Sequence, residues 1–294
     1  MRHRPLLTGL LLALVILSTS CAAAASAQTS PETTAYIENK GSDTIVNLAL
    51  AWAEYYQSEH PDVRISVTGG GSGTGIAALI NGTVDIANAS RQIKPEEIDE
   101  AESNGVDPVE FVIARDAIAV IVNPNNPVDK LTLQQISDIY SGKINNWSEV
   151  GGEDRPIVRL SRETNSGTHV YFLETVLRLG EKDNDTLFSR NTLLLPSSEG
   201  IVAEVRQNPN AIGYDGLGYV PPDLKMIAIA KEVGGEYVLP SVESVNDATY
   251  PIARDLYMYT AGEPTGTVKV YLDWVINSDE AQGIVQELGF VPIK

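Results

Sequence analysis

The sequence predicts an α/β fold of two lobes, with a ligand cleft between them and two hinge crossings. Three features of the chain predict it. Short apolar strands alternate with amphipathic helices, a cluster of small polar residues follows each of several strands, and two long extended passages, Arg115–Val122 and Tyr250–Tyr259, bracket a middle α/β unit. Ligands in open α/β sheets collect outside the carboxyl ends of the strands, so these clusters would converge. Two crossings between lobes are what a hinged closure needs.

The first residues read as an export signal. Arg2 and Arg4 form a basic start, Leu6 to Leu17 are almost wholly apolar, and Ala25-Ser26-Ala27 fits a small-x-small cleavage site. The apolar run is too short to span a bilayer. Cys21 offers a rival reading, the lipid-bearing cysteine of a bacterial lipoprotein, although Ser18 stands where such signals usually carry Leu. Either way the chain leaves the cytoplasm, for the periplasm or the outer face of the cytoplasmic membrane. Loss of residues 1–27 would leave 267 residues without cysteine, which excludes disulfides, thiol catalysis and Cys-ligated metal. It would also leave 19 basic against 39 acidic residues, a net charge of −20 that repels nucleic acid and anionic lipid. An anionic ligand would therefore be held by local backbone N–H groups, hydroxyls and one or two arginines.

Residues 28–34 are small and polar, a tether. Ala35–Asn39 suggests the first strand, and Ile45, Leu48, Ala49, Trp52, Tyr55 and Tyr56 recur at helical spacing until His60-Pro61 stops them. Ser42, Asp43 and Thr44 precede that helix, where capping explains one of the three. Val63–Val67 is a strand that runs through Gly69-Gly70-Gly71-Ser72-Gly73-Thr74-Gly75 into a helix start at Ile76. Glycines permit positive φ and close approach to a ligand, and a helix N-terminus offers unpaired N–H groups. The alternative is a tight turn with Ser and Thr caps. No Lys follows, so this is no Walker P-loop, and the spacing misses the nucleophile elbow. Val84–Ala87 forms a strand ending at Asn88-Ala89-Ser90-Arg91, Pro95 opens an acidic helix to Ser103, and Val109–Ile113 and Ala117–Val122 read as two separate strands. Beyond the Asn123–Pro127 break come a helix from Thr132 to Tyr140, a strand Ile157–Leu160, and Ser161–Thr168, a second loop of the glycine-loop design. A helix over Val170–Leu179, a helix capped by Ser197, strands at Ala211–Tyr214 and Met226–Ile229, and helices near Thr265–Asn277 and Asp279–Leu288 complete the chain. The lobes divide as 35–116 with 251–294, and 117–250.

Four motifs in register carry a resemblance. Gly41-Ser42-Asp43-Thr44, Gly69–Gly75, Asp85–Arg91 and Arg162–Thr168 are similar, in order and interval, to motifs of the phosphate-binding proteins of bacterial high-affinity phosphate ABC transporters. Leu131-Thr132, Ile139–Ile144 and Asn146-Trp147 share it, so it spans about Tyr36 to the C-terminus. The resemblance implies a type II periplasmic-binding-protein fold, no catalysis, no cofactor and no metal. It implies a monomer that buries inorganic phosphate between its lobes and delivers it to the permease subunits of an ABC transporter. The membrane is then reached only through a lipid on Cys21. Carried over position by position, Ser42, Asp43 and Thr44 offer N–H groups and hydroxyls, Ser72 its hydroxyl and N–H, Arg162 the one cation, and Ser166, Gly167 and Thr168 donors at a helix start. Better-known members have Asp where this chain has Ser90. That Asp accepts the proton of hydrogen phosphate, and an obligate acceptor rejects sulfate. Asp43, where a hydroxyl or small residue is commoner, is the candidate replacement, with Ser90 an added donor.

Bland readings stand beside these. Arg162 could pair with Glu163; Ser72, Ser166 and Asp43 could be caps. Arg91 could reach the ligand, bridge the cleft or stay solvated. Asp116 could accept from backbone or an arginine near the first crossing, and Asp215 reads as a turn residue. Competing functions are a receptor for sulfate, molybdate, tungstate or arsenate, a secreted phosphatase, and an adhesive or sensory ectodomain. Two isolated histidines, His60 and His169, lack the spacing that a hydrolytic metal centre needs.

Overall fold

A computed structural model describes residues 34–294. The leader 1–27 with its cleavage site and Cys21, and the tether up to residue 33, lie outside the described residues. Strand β1 (Ala35–Gly41) ends at a glycine with φ +146°, where a Cβ would collide with the Asn88 carbonyl. Helix α1 (Asp43–Glu59) buries Ile45, Leu48, Ala49, Trp52, Ala53 and Tyr56, the i, i+3, i+4 stripe. Trp52 Nε1 ties it to the Ala281 carbonyl at 2.8 Å. Strand β2 (Val63–Thr68) is followed by Gly70 and Gly71, at φ +117° and +91°, which only glycine adopts without strain, and then by helix α2 (Ser72–Ile80). A Cβ on Gly75 would stand 2.5 Å from the Lys40 carbonyl and 2.6 Å from Gly41 Cα, so α2 is pressed onto the end of β1. Strand β3 (Ile86–Ala89) and helix α3 (Pro95–Ser103) come next, the latter begun by proline at N1 with Glu97 accepting from Lys94 N–H.

Strand β4 (Pro108–Val122) corrects the expectation of two strands: the fifteen residues run unbroken. Asp116 does not turn the chain outward, because in the neighbouring strand Arg254 stands directly opposite and neutralises it. The middle unit comprises β5 (Lys130–Thr132), α4 (Leu133–Ser141), β6 (Val158–Arg162), α5 (Gly167–Phe172, continued by a π-helical turn Leu173–Leu177), β7 (Leu193–Leu195), α6 (Ser198–Gln207), β8 (Ala211–Gly216), β9 (Lys225–Met226), β10 (Ala228–Ala230) and α7 (Val242–Asn246). The helix behind the second loop thus starts three residues before the expected Val170, and the single strand over Met226–Ile229 is two short ones on different partners, β4 and β5. Strand β11 (Ala253–Ala261) and helices α8 (Gly266–Asn277) and α9 (Asp279–Glu287) follow.

The main sheet runs β2-β1-β3-β11-β4-β8-β6-β7, with β9 also on β4. Strand β4 serves both halves: residues 108–117 pair antiparallel with β11, and 118–122 pair antiparallel with β8. One core packs α1, α8 and α9 on the β1–β4 side around Ile45, Trp52, Tyr271 and Val275. Another packs Tyr140, Trp147, Phe172 and Tyr214 on the β8 side, where Phe172 and Tyr214 stack at 3.6 Å. The carboxyl ends of β1, β2, β3 and β6 lead into the polar loops. Substituting Gly75→Ala should lower unfolding stability by about 2–3 kcal/mol in urea, because both colliding atoms are backbone; a loss below about 0.5 kcal/mol, the scale of ordinary surface substitutions, would show that α2 has room to move.

Candidate functional site

The polar loops meet around Gly167. A Cβ there would overlap Ser72 Oγ and lie 2.5 Å from Ser90 Oγ, so three segments distant in sequence approach at a residue with no side chain. Ser72 Oγ accepts from Ser90 N–H at 3.0 Å and lies 3.3 Å from Ser90 Oγ. Thr44, in the first turn of α1, meets Thr168 with their hydroxyl oxygens 2.8 Å apart. Ser42, Thr44, Ser72, Ser90, Ser166 and Thr168 are all buried. Ser42 and Ser166 are the N-caps of α1 and α5 by position, yet neither side chain caps, so capping does not consume these hydroxyls.

The backbone supply of donors is narrower than the glycine pattern suggests. Ser42 N–H is spent on the Asn88 carbonyl at 2.9 Å, Gly71 N–H on Gly41 and Gly73 N–H on Asn165. Gly70 N–H goes to Asp43 Oδ1 at 2.8 Å. Asn165 returns the contact through Nδ2 to the Gly70 carbonyl at 2.9 Å, stitching the two loops together. Ser72 holds the first helical position, where no intrahelical acceptor serves its N–H.

Arg162 is 1 % exposed and pairs not with Glu163 but with Asp43, Nη2 to Oδ2 at 2.7 Å. Nη1 donates to Ser198 Oγ at 2.9 Å and lies 3.7 Å from Asp215 Oδ2, while Nε is buried without a partner. Asp215 is no turn residue. It sits inside β8, fully buried, accepts from Ser198 Oγ and Gly216 N–H, and burial raises its carboxyl above the usual range against the pull of Arg162. An acid within an apolar strand was the available signal.

Arg254 was not singled out in the sequence, and it makes more contacts here than any predicted residue. Nη2 reaches Asp116 Oδ2 at 2.9 Å, Thr168 Oγ1 at 2.9 Å and Thr44 Oγ1 at 3.4 Å, and Nη1 donates to the Ser90 carbonyl at 2.7 Å. The cluster therefore holds two arginines rather than one. The signal was again a charge, Arg254, in an extended apolar run. Asp116 accepts both from Leu217 N–H at 3.2 Å and from Arg254. Burial pushes its carboxyl up to about 6, only partly offset by Arg254, and nearby Asp215 adds repulsion. Arg91 neither bridges the cleft nor stays solvated: it forms a two-pronged pair with Glu97 on its own side, at 2.6 and 2.8 Å. It does line, with Tyr171, Glu174, Arg254 and Tyr257, a cleft of about 480 Å³.

A two-part α/β sheet sharing one long strand, with polar loops from both parts converging on buried arginines, is a binding-protein architecture. Comparison with known proteins agrees. A family model described as a PBP superfamily domain matches residues 26–280. The phosphate-binding protein PstS of Pseudomonas aeruginosa is 32% identical over 273 residues, covering 87% of this chain and 83% of that protein. PstS of Bacillus subtilis is 31% identical over 304 residues, covering 99% and 95%. Among solved structures, a Clostridium perfringens protein assigned as a phosphate ABC transporter substrate-binding protein, with bound phosphate, superposes with TM-score 0.77 at 35% identity, covering 88% of this chain and all of that one. An ABC-type phosphate transport receptor from Vibrio cholerae gives 0.70 at 27%, covering 88% and 100%. The chain belongs to the periplasmic-binding-protein superfamily, with its two-lobed type II fold. Within that superfamily it is a member of the PstS family.

The buried carboxyl of Asp116 makes a pH prediction. Its folded pKa lies above the unfolded value, so the folded state binds more protons between about pH 4 and 6, and stability falls as pH rises through that window. The group alone should remove roughly 2 kcal/mol between pH 4 and pH 7. In urea unfolding, wild type should lose stability relative to Asp116→Asn over that range; a gap constant with pH would show that Asp116 titrates as an ordinary carboxylate.

Proposed function

We propose that this chain captures inorganic phosphate in the cleft between its lobes and delivers it to the permease of an ABC transporter. The observation that carries this reading is the meeting at Gly167 of buried hydroxyls from both halves, with the buried guanidinium of Arg162 tied to the first loop through Asp43. Neutral donors in a dry site can hold a dianion, and a single arginine adds a charge-assisted contact. The named relatives bind phosphate, and the four motifs that resemble theirs all contribute to this cluster. The ligand set we assign is Ser42, Asp43, Thr44, Ser72, Ser90, Arg162, Ser166, Gly167 and Thr168.

The hinge falls at residues 116/117 and 250/251. Support comes from β4, which changes partner between Ala117 and Ile118, and from the Ile118 N–H to Ile252 carbonyl bond at 2.8 Å that holds the crossings side by side. Only the closed form reports a loaded ligand, so the permease would read the rims of both lobes. The receptor works outside the cytoplasm as a monomer, and among the described residues no helix is long and apolar enough to cross a membrane.

Asp43 is the acceptor for the proton of hydrogen phosphate. Its carboxylate is the nearest one to Arg162, and each of its oxygens spends one lone pair, on Gly70 N–H and on Arg162. Calorimetric titration of phosphate-stripped protein should show tight phosphate binding and no sulfate response. Sulfate or molybdate binding instead would keep the fold and change the ligand. Arg162→Met should weaken phosphate binding about 100-fold or more, the scale of a lost charged hydrogen bond. Asp43→Asn should weaken phosphate and admit sulfate; unchanged phosphate affinity with sulfate still excluded would remove Asp43 from the acceptor role.

A further inference from the structure

We propose that Arg254 is a positioning residue that fixes the Thr44–Thr168 hydroxyl pair as a hydrogen donor to the bound anion; this rests on the phosphate reading. A threonine hydroxyl can present either its hydrogen or a lone pair, and two hydroxyls 2.8 Å apart can share one hydrogen in either direction. Guanidinium has no acceptor. Arg254 Nη2, 2.9 Å from Thr168 Oγ1 and 3.4 Å from Thr44 Oγ1, therefore occupies lone pairs on that side of the pair. Of the two hydroxyl hydrogens, one is spent between the threonines. The other has no acceptor in Arg254 and is left for an acceptor in the cleft. An oxyanion supplies one.

The arginine is held for this task from three directions. Asp116, opposite in register on β4, takes Nε and Nη2; the Ser90 carbonyl takes Nη1 at 2.7 Å; and the guanidinium carbon lies 5.4 Å from the centre of the Tyr171 ring. Each anchor lies beside a cleft segment, Ser90 being itself one of the hydroxyl residues. Lysine cannot replace this arrangement, because an ammonium is a point charge without the fork that reaches Asp116, Ser90 and both threonines together.

The test is phosphate calorimetry at pH 7.5 on stripped wild type, Arg254→Lys, Thr168→Val and the double variant, with thermal unfolding of each. Arg254→Lys should fold and bind phosphate about 10- to 100-fold more weakly, as should Thr168→Val. The double variant should be no more than about threefold worse than the poorer single, because the arginine acts through that hydroxyl. Losses that multiply, or an Arg254→Lys protein within twofold of wild type, would overturn the inference. Should Arg254→Lys not fold, the pair variant Arg254→Met with Asp116→Leu leaves no buried charge unpaired and takes its place in the same cycle. A wild type that ignores phosphate would instead overturn the phosphate reading, which the same titration distinguishes.

Discussion

The pairing of Arg254 with Asp116 is the interaction around which the meeting loops are arranged. The two residues face each other in register across β11 and β4, and both are buried. Taking two charges out of water costs several kcal/mol per ion unless each is fully hydrogen-bonded. Here the Leu217 N–H, the Ser90 carbonyl and the threonine hydroxyls supply further partners to the two. Those partners belong to both halves of the sheet. A pair that is comfortable only when the two halves are together favours the arrangement in which the loops meet.

Charge sets the second constraint. The chain carries a net −18, so the whole-molecule field does not draw an anion in. Inside the cluster two arginines face Asp43, Asp116 and Asp215, an excess of acid before any ligand arrives. Burial raises the carboxyls of Asp116 and Asp215, so that excess shrinks as pH falls. Arg162 is bound to Asp43 through one nitrogen and keeps a buried Nε unspent, so its contacts can be shared with a ligand rather than surrendered to it. Attraction in this site is short-range, made of aimed hydrogens within a few ångströms.

Much of the fold was legible because local patterns decide it. The apolar stripe of α1, the glycines at positive φ before α2, the Thr132 cap of α4 and the Ser197 cap of α6 are properties of a few adjacent residues; α1, α4 and α6 form where the pattern places them, while α2 begins at Ser72 rather than Ile76. The reading failed where a charge decides by its partner. The stretch across Asp116 reads as two strands, with an arginine among the partners considered for its carboxylate, and Asp215 reads as a turn, since an acid in an apolar run ordinarily marks the surface. Both lie in unbroken strands because an arginine, 138 residues away in one case and 53 in the other, neutralises the charge. The glycine loop was read as a set of free N–H donors, and three of them are committed to Asp43, Gly41 and Asn165.

The sequence by itself determined the strand–helix alternation, the small and hydroxylated loops at the strand ends, and the family to which the motifs belong. These depend on side-chain periodicity, backbone freedom and residue order, all of which are local or cumulative along the chain. Only the tertiary structure decided which loops touch, that Arg162 faces Asp43 rather than its neighbour Glu163, and that Arg254 stands among the hydroxyls of Thr44 and Thr168. Those outcomes depend on sheet order and register, where β3, β11 and β4 lie side by side although the chain between β4 and β11 is more than a hundred residues long. A charge in sequence has a sign but no partner; the register of β11 against β4 supplies one.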